Sequence, residues 1–194
     1  SEKELNVPLI RLVQTLRQHQ SLSKTDMTEG LEQLIDPQVP EPYKGAFLES
    51  LRLKDETPIE NETCLHFFQS HCKTIQVNTP LLVNLAYAYD GFNRHLFLAP
   101  FIAMALAKAG VPTLIHGIDN IGPKYGMNSH KILTEMGLNP NKTVDEVAND
   151  LNNPDIGWGY IDQAQYCPAL YALKSCRKHM VKRPLLATIE KWLS

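Results

Sequence analysis

Residues 81–117 read LLVNLAYAYDGFNRHLFLAPFIAMALAKAGVPTLIHG and combine two short apolar runs with a longer one between them. The run Leu81–Tyr87 is nearly continuous, which is typical of a strand buried on both faces of a parallel sheet. The segment Leu98–Ala109 predicts a helix that ends at Gly110. Val111–Ile115 predicts a second strand. This order predicts an α/β domain with a parallel sheet and a right-handed crossover.

The segments that follow the two predicted strands are the places where we expect ligand chemistry. Ligands of open parallel sheets bind beyond the carboxyl ends of the strands. Asp90 and Gly91 form a predicted turn after the first strand, and His116 with Gly117 ends the second. Glycine at such positions lets backbone amides approach an anion closely.

The rest of the chain is predicted to be mostly helical. Before Pro80, four capping patterns predict a bundle of short helices. Their starts are Asn6 with Pro8, Ser23 with Asp26, Pro40 with Pro42, and Thr57 with Pro58 and Glu60. After the second strand we predict helices at 129–136 and 143–151, a strand at 157–161, and helices opened by Pro168 (to His179) and Pro184. We therefore expect a helical domain at 1–74 and an α/β domain at 79–194.

The composition of the chain indicates a globular protein and argues against several other classes of protein. Apolar residues make up 43% and charged residues 21% of the 194 residues, which excludes a disordered chain. The net charge of −2 argues against a general polyanion binder. The longest apolar run, Leu96–Ala107, is too short to cross a bilayer, and the polar start of the chain predicts no secretory signal.

The number and spacing of the four cysteines predict that they are free thiols and that the protein is cytoplasmic. They are Cys64, Cys72, Cys167 and Cys176, and none forms a C-x-x-C pair. A metal site built on Cys64, His66, His71 and Cys72 is not favoured, because the two histidines are five positions apart and lie on different faces of a helix.

Two stretches carry a resemblance to a known family. Residues 43–57 contain Gly-Ala-Phe-Leu and end in Lys-Asp-Glu-Thr, and residues 167–170 read Cys-Pro-Ala-Leu with Arg177 and Arg183 after them. The chain thereby resembles the anthranilate phosphoribosyltransferase family, in which these stretches read Gly-Ala-Phe-Leu, Lys-x-Glu-Thr and His-Pro-Ala-Met, and in particular its divergent members. The resemblance implies a fold of the nucleoside phosphorylase/phosphoribosyltransferase type, with a helical bundle before a Rossmann-like parallel sheet. We expect that sheet domain to be incomplete, because the family continues beyond the part matched here.

The resemblance also implies a site for phosphoribosyl pyrophosphate with Mg²⁺ at a Gly-Thr-Gly-Gly-Asp loop. The matching residues here are Ala86-Tyr87-Ala88-Tyr89-Asp90, so every glycine of the loop is replaced. Tyrosine resists the backbone conformations that a pyrophosphate cradle needs. We therefore predict a degenerate loop.

A second family loop, Lys-His-Gly-Asn-Arg, corresponds to Ile115–Asp119. His116 and Gly117 remain, while isoleucine and aspartate replace the lysine and the arginine. Exchanging a cation for a carboxylate weakens an anion site on Coulomb grounds.

Two residues match the part of the family's site that would hold the aromatic acid, and each has two interpretations. Arg177 matches the arginine that would hold an aromatic carboxylate in a bidentate contact, but it could equally be a solvated member of the basic stretch 174–183. Cys167 takes the place of the histidine. Its plain interpretation is a small buried cysteine, and the alternative is a reactive thiol at a helix start.

These observations predict a phosphoribosyltransferase-like glycosyltransferase scaffold, related to tryptophan biosynthesis, that does not run the standard reaction. The resemblance assigns a small anionic or aromatic ligand but no catalytic residue and no metal ligand. The candidate ligand-binding residues are Asp90, Gly91, His116, Gly117, Cys167 and Arg177. The alternative is a non-enzymatic module that binds a protein, or nucleic acid through the basic stretch 174–183. We also expect a homodimer formed through the helical domain, whose apolar seams are Leu9–Leu16 and Leu31–Ile35.

Overall fold

Helices occupy the first part of the chain, as the capping patterns predict. The computed structural model describes residues 8–180 and 182–193. The first helices are α1 (Pro8–Arg17), α2 (Lys24–Ile35), α3 (Glu41–Lys54) and α4 (Pro58–Ser70). The predicted cap of α2 is confirmed, since Ser23 Oγ accepts a hydrogen bond from the Asp26 amide at 3.1 Å. The predicted cap Asn6 lies outside the described residues.

The apolar seams of α1 and α2 form the core of this helical unit. Leu9, Leu12 and Leu31 are each no more than 1% exposed, and α1 packs on α3 while α2 packs on α4. The seams therefore face the chain's own helices and do not offer an exposed dimer surface. A homodimer stays a prediction without support from these residues.

A buried carboxylate ties the helical unit together. Glu60 of α4 is fully buried and accepts hydrogen bonds from the Leu22 amide (2.8 Å), the Thr57 amide (2.7 Å) and Lys54 Nζ (2.8 Å). Burial by itself raises the pKa of this carboxyl, but the hydrogen bonds from Lys54, Thr57 and Leu22 outweigh it and leave the pKa below its usual value. Glu60 is therefore held as a carboxylate that joins three segments.

The predicted parallel sheet is confirmed in the second unit, which comprises residues 71–171. Its strands are β1 (Val83–Ala86), β2 (Thr113–Gly117) and β3 (Trp158–Asp162), which pair in parallel in the order β1-β2-β3. The helices α5 (Ala99–Lys108), α6 (Ser129–Glu135) and α7 (Val144–Asn152) connect them, and α5 packs against β2 and β3.

Strand β1 differs from the prediction that it is buried on both faces. Its residues are half-buried or exposed, whereas most of β2 is buried. The reason is its position, since β1 lies at the edge of the described sheet and pairs only with β2. Apolar sequence alone does not distinguish an edge strand from a central one.

The chain after β3 is more broken than the single predicted helix from Pro168 to His179. It forms α8 (Gln163–Tyr166), α9 (Pro168–Tyr171) and α10 (Lys174–Lys178), followed by α11 (Leu186–Ile189) and a short 3-10 helix at Glu190–Trp192. Residues 172–193 group with the helical unit, where α10 packs on α3 and α11 on α4. The compact units thus divide the chain differently from a single boundary near residue 75. No helix of the described residues has the length and hydropathy needed to cross a membrane.

We predict that Glu60→Gln lowers the free energy of unfolding by about 3–5 kcal/mol, because it leaves the buried Lys54 ammonium without its carboxylate. Urea unfolding of the wild type and the variant at neutral pH measures the difference. The control is Glu62→Gln on the same helix, whose exposed side chain should change stability by no more than about 0.5 kcal/mol. Equal effects of the two changes would contradict the role of Glu60.

Candidate functional site

The carboxyl ends of the three strands meet at one edge of the sheet. The register pairs Ala86 with His116 and Gly117 with Asp162. The structure therefore brings the predicted residues Asp90, Gly91, His116 and Gly117 to the edge where the sequence places ligand chemistry.

The turn at Asp90 and Gly91 is held by close backbone contacts. Gly91 has φ of +73°, and a Cβ atom at this position would lie 2.4 Å from the Met127 carbonyl oxygen. The Gly126 amide donates to the Asp90 carbonyl at 2.8 Å, and Phe92 pairs with Met127 in an antiparallel bridge. Glycine is thus required here for the fold itself, independently of any anion.

Buried tyrosines occupy the space beyond β1 and β2. The Tyr89 hydroxyl is hydrogen-bonded to His116 Nδ1 and to the Tyr166 hydroxyl, the latter at 2.6 Å. All three residues are buried. A tyrosine ring with a hydrogen-bonded hydroxyl therefore fills the segment after β1, which the sequence analysis predicts to be a degenerate phosphate loop.

His116 is held as a neutral ring. Burial lowers its pKa to about 4. Its Nε2 has no hydrogen-bond partner among the described residues, although buried polar atoms are nearly always paired. The Gln163 amide at the end of β3 is also fully buried, and its two polar atoms have no partner there either.

A second buried cluster at this edge was missed by the sequence analysis. Asp162 Oδ2 accepts hydrogen bonds from His130 Nδ1 (2.9 Å) and from the Tyr160 hydroxyl (3.0 Å), and Asp162 Oδ1 caps α8 through the Ala164 amide. Burial, followed by the charge of Asp162, raises the Tyr160 pKa well above its usual value. An aspartate directly after a predicted buried strand was the available signal for this cluster.

Asn128 was also missed, and it joins the loops that follow β1 and β2. Its Nδ2 donates to the carbonyl of Ile118 at 2.9 Å and to that of Tyr89 at 3.4 Å, and its Oδ1 accepts from the Lys131 amide. Asparagine is a strong helix cap, and its position just before α6 was the available signal.

The cavity at this edge is small, and no lysine or arginine lines it. It has about 10 Å³ of space for the centre of a water molecule, which is close to the minimum that holds one water. Its lining consists of Tyr87, Ala88, Tyr89, Phe97, His116, Gly117, Ile118, Asn128 and Ser129.

The lysines closest to the turn bind backbone carbonyls. Lys124 Nζ lies 3.5 Å from the Gly91 carbonyl oxygen and 5.4 Å from the centre of the Phe92 ring. Lys131 Nζ donates to the carbonyls of Tyr125 and Gly126, both at 2.9 Å. Their charges hold the loop together.

The magnesium ion that the resemblance implies does not fit the residues at this edge. Within the described ranges, no group of three or more histidine, cysteine, aspartate or glutamate side chains is arranged to hold a metal ion. The oxygens of Asp162 are engaged by Ala164, His130 and Tyr160.

Cys167 is buried between α8 and α9, next to Tyr166. Its thiol is hydrogen-bonded to the thiol of Cys72. The burial of Cys167 agrees with the plain interpretation, and the sequence analysis missed its pairing with Cys72.

Arg177 belongs to the helical unit and is engaged by an internal carboxylate. It is 5% exposed, and its two terminal nitrogens donate to Glu190 at 2.7 and 3.2 Å. The interpretation of Arg177 as a solvated residue is wrong. The bidentate contact expected for a ligand carboxylate is made by Glu190.

The basic stretch 174–183 borders a groove of mixed charge in the helical unit. The groove has a volume of about 540 Å³, and its lining includes His179 and Lys182 together with the carboxylates Glu41 and Glu49. Because both signs of charge line it, the groove is a poor surface for a polyanion.

Comparisons with known proteins agree with the fold and with the resemblance. No protein-family model matches the chain. It is 25% identical over 175 residues to an uncharacterized protein of Aquifex aeolicus, covering 90% of this chain and 51% of that protein. It is 29% identical over 173 residues to the anthranilate phosphoribosyltransferase of Staphylococcus epidermidis, covering 86% of this chain and 49% of the enzyme. The chain thus spans about half the length of these relatives.

Solved structures support the same fold. The anthranilate phosphoribosyltransferase of Thermus thermophilus aligns with a TM-score of 0.76 at 17% identity, over 94% of this chain and 54% of that one. The Saccharomyces cerevisiae enzyme in complex with PRPP and Mg aligns with a TM-score of 0.71 at 13% identity, over 97% and 55% of the two chains.

We predict that Gly91→Ala destabilises the protein by about 2–4 kcal/mol, since it adds a steric clash with Met127 to the cost of a positive φ. Gly110→Ala is the matched control, because Gly110 also has a positive φ (+83°) but has no atom within 4 Å of an added Cβ. The control should cost about 1 kcal/mol. Chemical denaturation of both variants checks this, and equal costs would show that the close approach at Gly91 has no energetic weight.

We further predict a loss of stability on acidification that depends on His116. Burial lowers its pKa to about 4 in the folded protein, against about 6.5 for an unperturbed histidine. The unfolded chain therefore binds a proton first, and stability is lost as the pH falls from about 6.5 towards 4. Between pH 7 and pH 5 the contribution is about 2 kcal/mol.

Urea unfolding at both pH values compares the wild type with His116→Gln, which should lose this part of the pH dependence. His66→Gln is the control, because His66 is an exposed residue of α4. If all three proteins showed the same pH dependence, the loss of stability on acidification would not come from His116.

Proposed function

We propose that this chain, a divergent relative of the anthranilate phosphoribosyltransferases, is a phosphoribosyltransferase-like scaffold that binds a small aromatic ligand and does not transfer a phosphoribosyl group to anthranilate. The observation that carries the proposal is the buried Tyr89 hydroxyl, bonded to His116 and Tyr166 in the position of the phosphate loop. Because the chain spans about half of its relatives, the proposal concerns this stretch of sequence.

The charges at the strand ends support the loss of phosphate binding. The Saccharomyces cerevisiae relative is described in complex with PRPP and Mg. Here, no lysine or arginine is among the residues that line the edge cavity, and the carboxyl groups of Asp90 and Asp162 are buried close to the strand ends. A pyrophosphate placed in this environment would lose its hydration without gaining a cation, which is strongly unfavourable.

The aromatic character of the same edge supports a ligand with a ring. The Tyr87, Phe92 and Phe97 rings pack with centroids 5.1–6.3 Å apart, and the Tyr89 ring lies 5.6 Å from His116. Offset and tilted aromatic contacts of this kind are favourable. Of the two ligand classes predicted from the sequence, aromatic and anionic, an aromatic edge with buried carboxyls nearby favours the aromatic one.

Unpaired buried polar atoms supply the hydrogen-bonding part of the proposed recognition. His116 lines the cavity, and its Nε2 lacks a partner among the described residues. The Gln163 amide, which directly follows β3, lacks partners there as well. We infer that a polar substituent on the ring reaches both groups. Since the cavity has room for only about one water, the half-buried Tyr87 ring moves aside when the ligand enters.

Nucleic-acid binding, the alternative considered from the sequence, has less support. Arg177 is buried against Glu190, and the groove beside the basic stretch contains two carboxylates. A homodimer and a cytoplasmic location remain predictions.

The test combines calorimetric binding with an assay for pyrophosphate release. With PRPP and Mg²⁺ we expect a Kd no tighter than about 1 mM, and no pyrophosphate released when anthranilate is added. With neutral benzamide as the probe we expect measurable binding, weakened about tenfold by Gln163→Leu because the amide contacts are lost.

Gln165→Leu on the same short helix is the matched control for Gln163→Leu and should leave benzamide binding unchanged. Pyrophosphate release above the rate without protein would overturn the loss of phosphoribosyl transfer. Binding of PRPP without any binding of benzamide would overturn the aromatic site.

A further inference from the structure

Two cysteines from opposite ends of the second unit are in contact. Cys72 follows α4, and Cys167 lies between α8 and α9. Their thiols are hydrogen-bonded to one another. Neither is part of a C-x-x-C pair, so their sequence spacing gives no sign of this contact.

The backbones beside the two thiols are also joined. The Lys73 amide donates to the Tyr166 carbonyl at 2.7 Å, and these residues are the direct neighbours of Cys72 and Cys167. Adjacent backbones are a requirement for a disulfide, because the two Cα atoms must lie within about 7 Å of one another. The pair is therefore held together by the fold and not by a chance side-chain contact.

The two thiols differ in exposure and in acidity. Cys72 is half-buried, so reagents in solution can reach it, whereas Cys167 is fully buried. The hydrogen bond from Cys72 lowers the pKa of the Cys167 thiol, and the same contact together with burial raises the pKa of Cys72. Exposure, and not acidity, therefore makes Cys72 the first thiol to react, and the contact leaves Cys167 beside the mixed disulfide that results.

We propose that Cys72 and Cys167 form an oxidation site that closes to an intramolecular disulfide on reaction with a low-molecular-weight disulfide such as oxidised glutathione. Cys72 loses its proton and attacks one glutathione sulfur, forming a mixed disulfide and releasing one glutathione thiolate. Cys167 then loses its proton and attacks the Cys72 sulfur, which releases the second thiolate. Two protein thiols are oxidised by two electrons, and one glutathione disulfide is reduced to two glutathione thiols.

The new bond would link the start of the second unit to the segment after β3. The closed loop, residues 72–167, contains all three strands. It would also anchor the backbone next to Tyr166, whose hydroxyl holds Tyr89 at the candidate site. Reversible disulfides of this kind serve as redox sensors in reducing compartments.

The experiment equilibrates the whole chain with mixtures of reduced and oxidised glutathione in native buffer and in concentrated urea. Remaining thiols are blocked with N-ethylmaleimide, and chymotryptic peptides are identified by mass spectrometry. Chymotrypsin cuts after Phe68, between Cys64 and Cys72, and after Leu173, between Cys167 and Cys176. Each cysteine is therefore read separately without any substitution.

We expect a Cys72–Cys167 linked peptide in native buffer, with a ratio of linked to open protein at least about tenfold higher than in urea, because the fold holds the two sulfurs together. Cys64 is fully buried and its pKa is raised by that burial, so it should remain a blocked thiol. Cys72→Ser should abolish the linked peptide, and Cys176→Ser should leave it unchanged.

A stable glutathione adduct on Cys72 with Cys167 still a thiol would overturn the proposal. An equal ratio of linked to open protein in native buffer and in urea would overturn it as well, because the fold would then contribute nothing. These readouts are independent of PRPP or benzamide binding, so the two proposals can fail separately.

Discussion

Buried polar groups at the carboxyl edge of a parallel sheet have to find partners within the protein, and this constraint organises the second unit. Parallel strands end at the same edge, and here those ends are covered. Tyr89 is paired with His116 and Tyr166, while Asp162 is paired with His130 and Tyr160. In this way the loops that carry ligand sites in other open sheets are tied to each other.

Buried charged groups are also paired within the protein in the helical unit. Glu60 satisfies a buried lysine and two backbone amides, and Glu190 satisfies Arg177. In both cases a carboxylate of the chain makes the contacts that an exchangeable anion could otherwise make. Removing one member of such a pair is more damaging than removing both, because a buried charge is left uncompensated.

A fold can persist while its site changes, because packing and chemistry depend on different residues. The parallel sheet agrees with the relatives of known structure at sequence identities below 20%. The residues at its edge, in contrast, form an aromatic cluster that includes the buried Tyr89 ring. Beside this cluster, Lys124 and Lys131 contact backbone carbonyls and Asp162 is paired with His130. These contacts separate the retained scaffold from the proposed change of function.

Much of the fold was predictable from the sequence because local patterns report local structure. The cap at Ser23 and the strand periods at 81–87 and 111–115 correspond to α2, β1 and β2, and the glycine at position 91 has the positive φ expected of a turn. The resemblance to the phosphoribosyltransferases was likewise present in short motifs. What the sequence determined by itself was therefore the type of most elements and their order along the chain.

Only the tertiary structure decided which side chains meet. It made β1 an edge strand, paired Arg177 with Glu190 where the sequence left two alternatives open, and joined Cys72 to Cys167. Each of these outcomes depends on contacts between residues distant in the chain or on the order of strands in space. Hydrophobic period and capping patterns carry no information about such contacts, since they extend over only one or two turns of helix or a single strand.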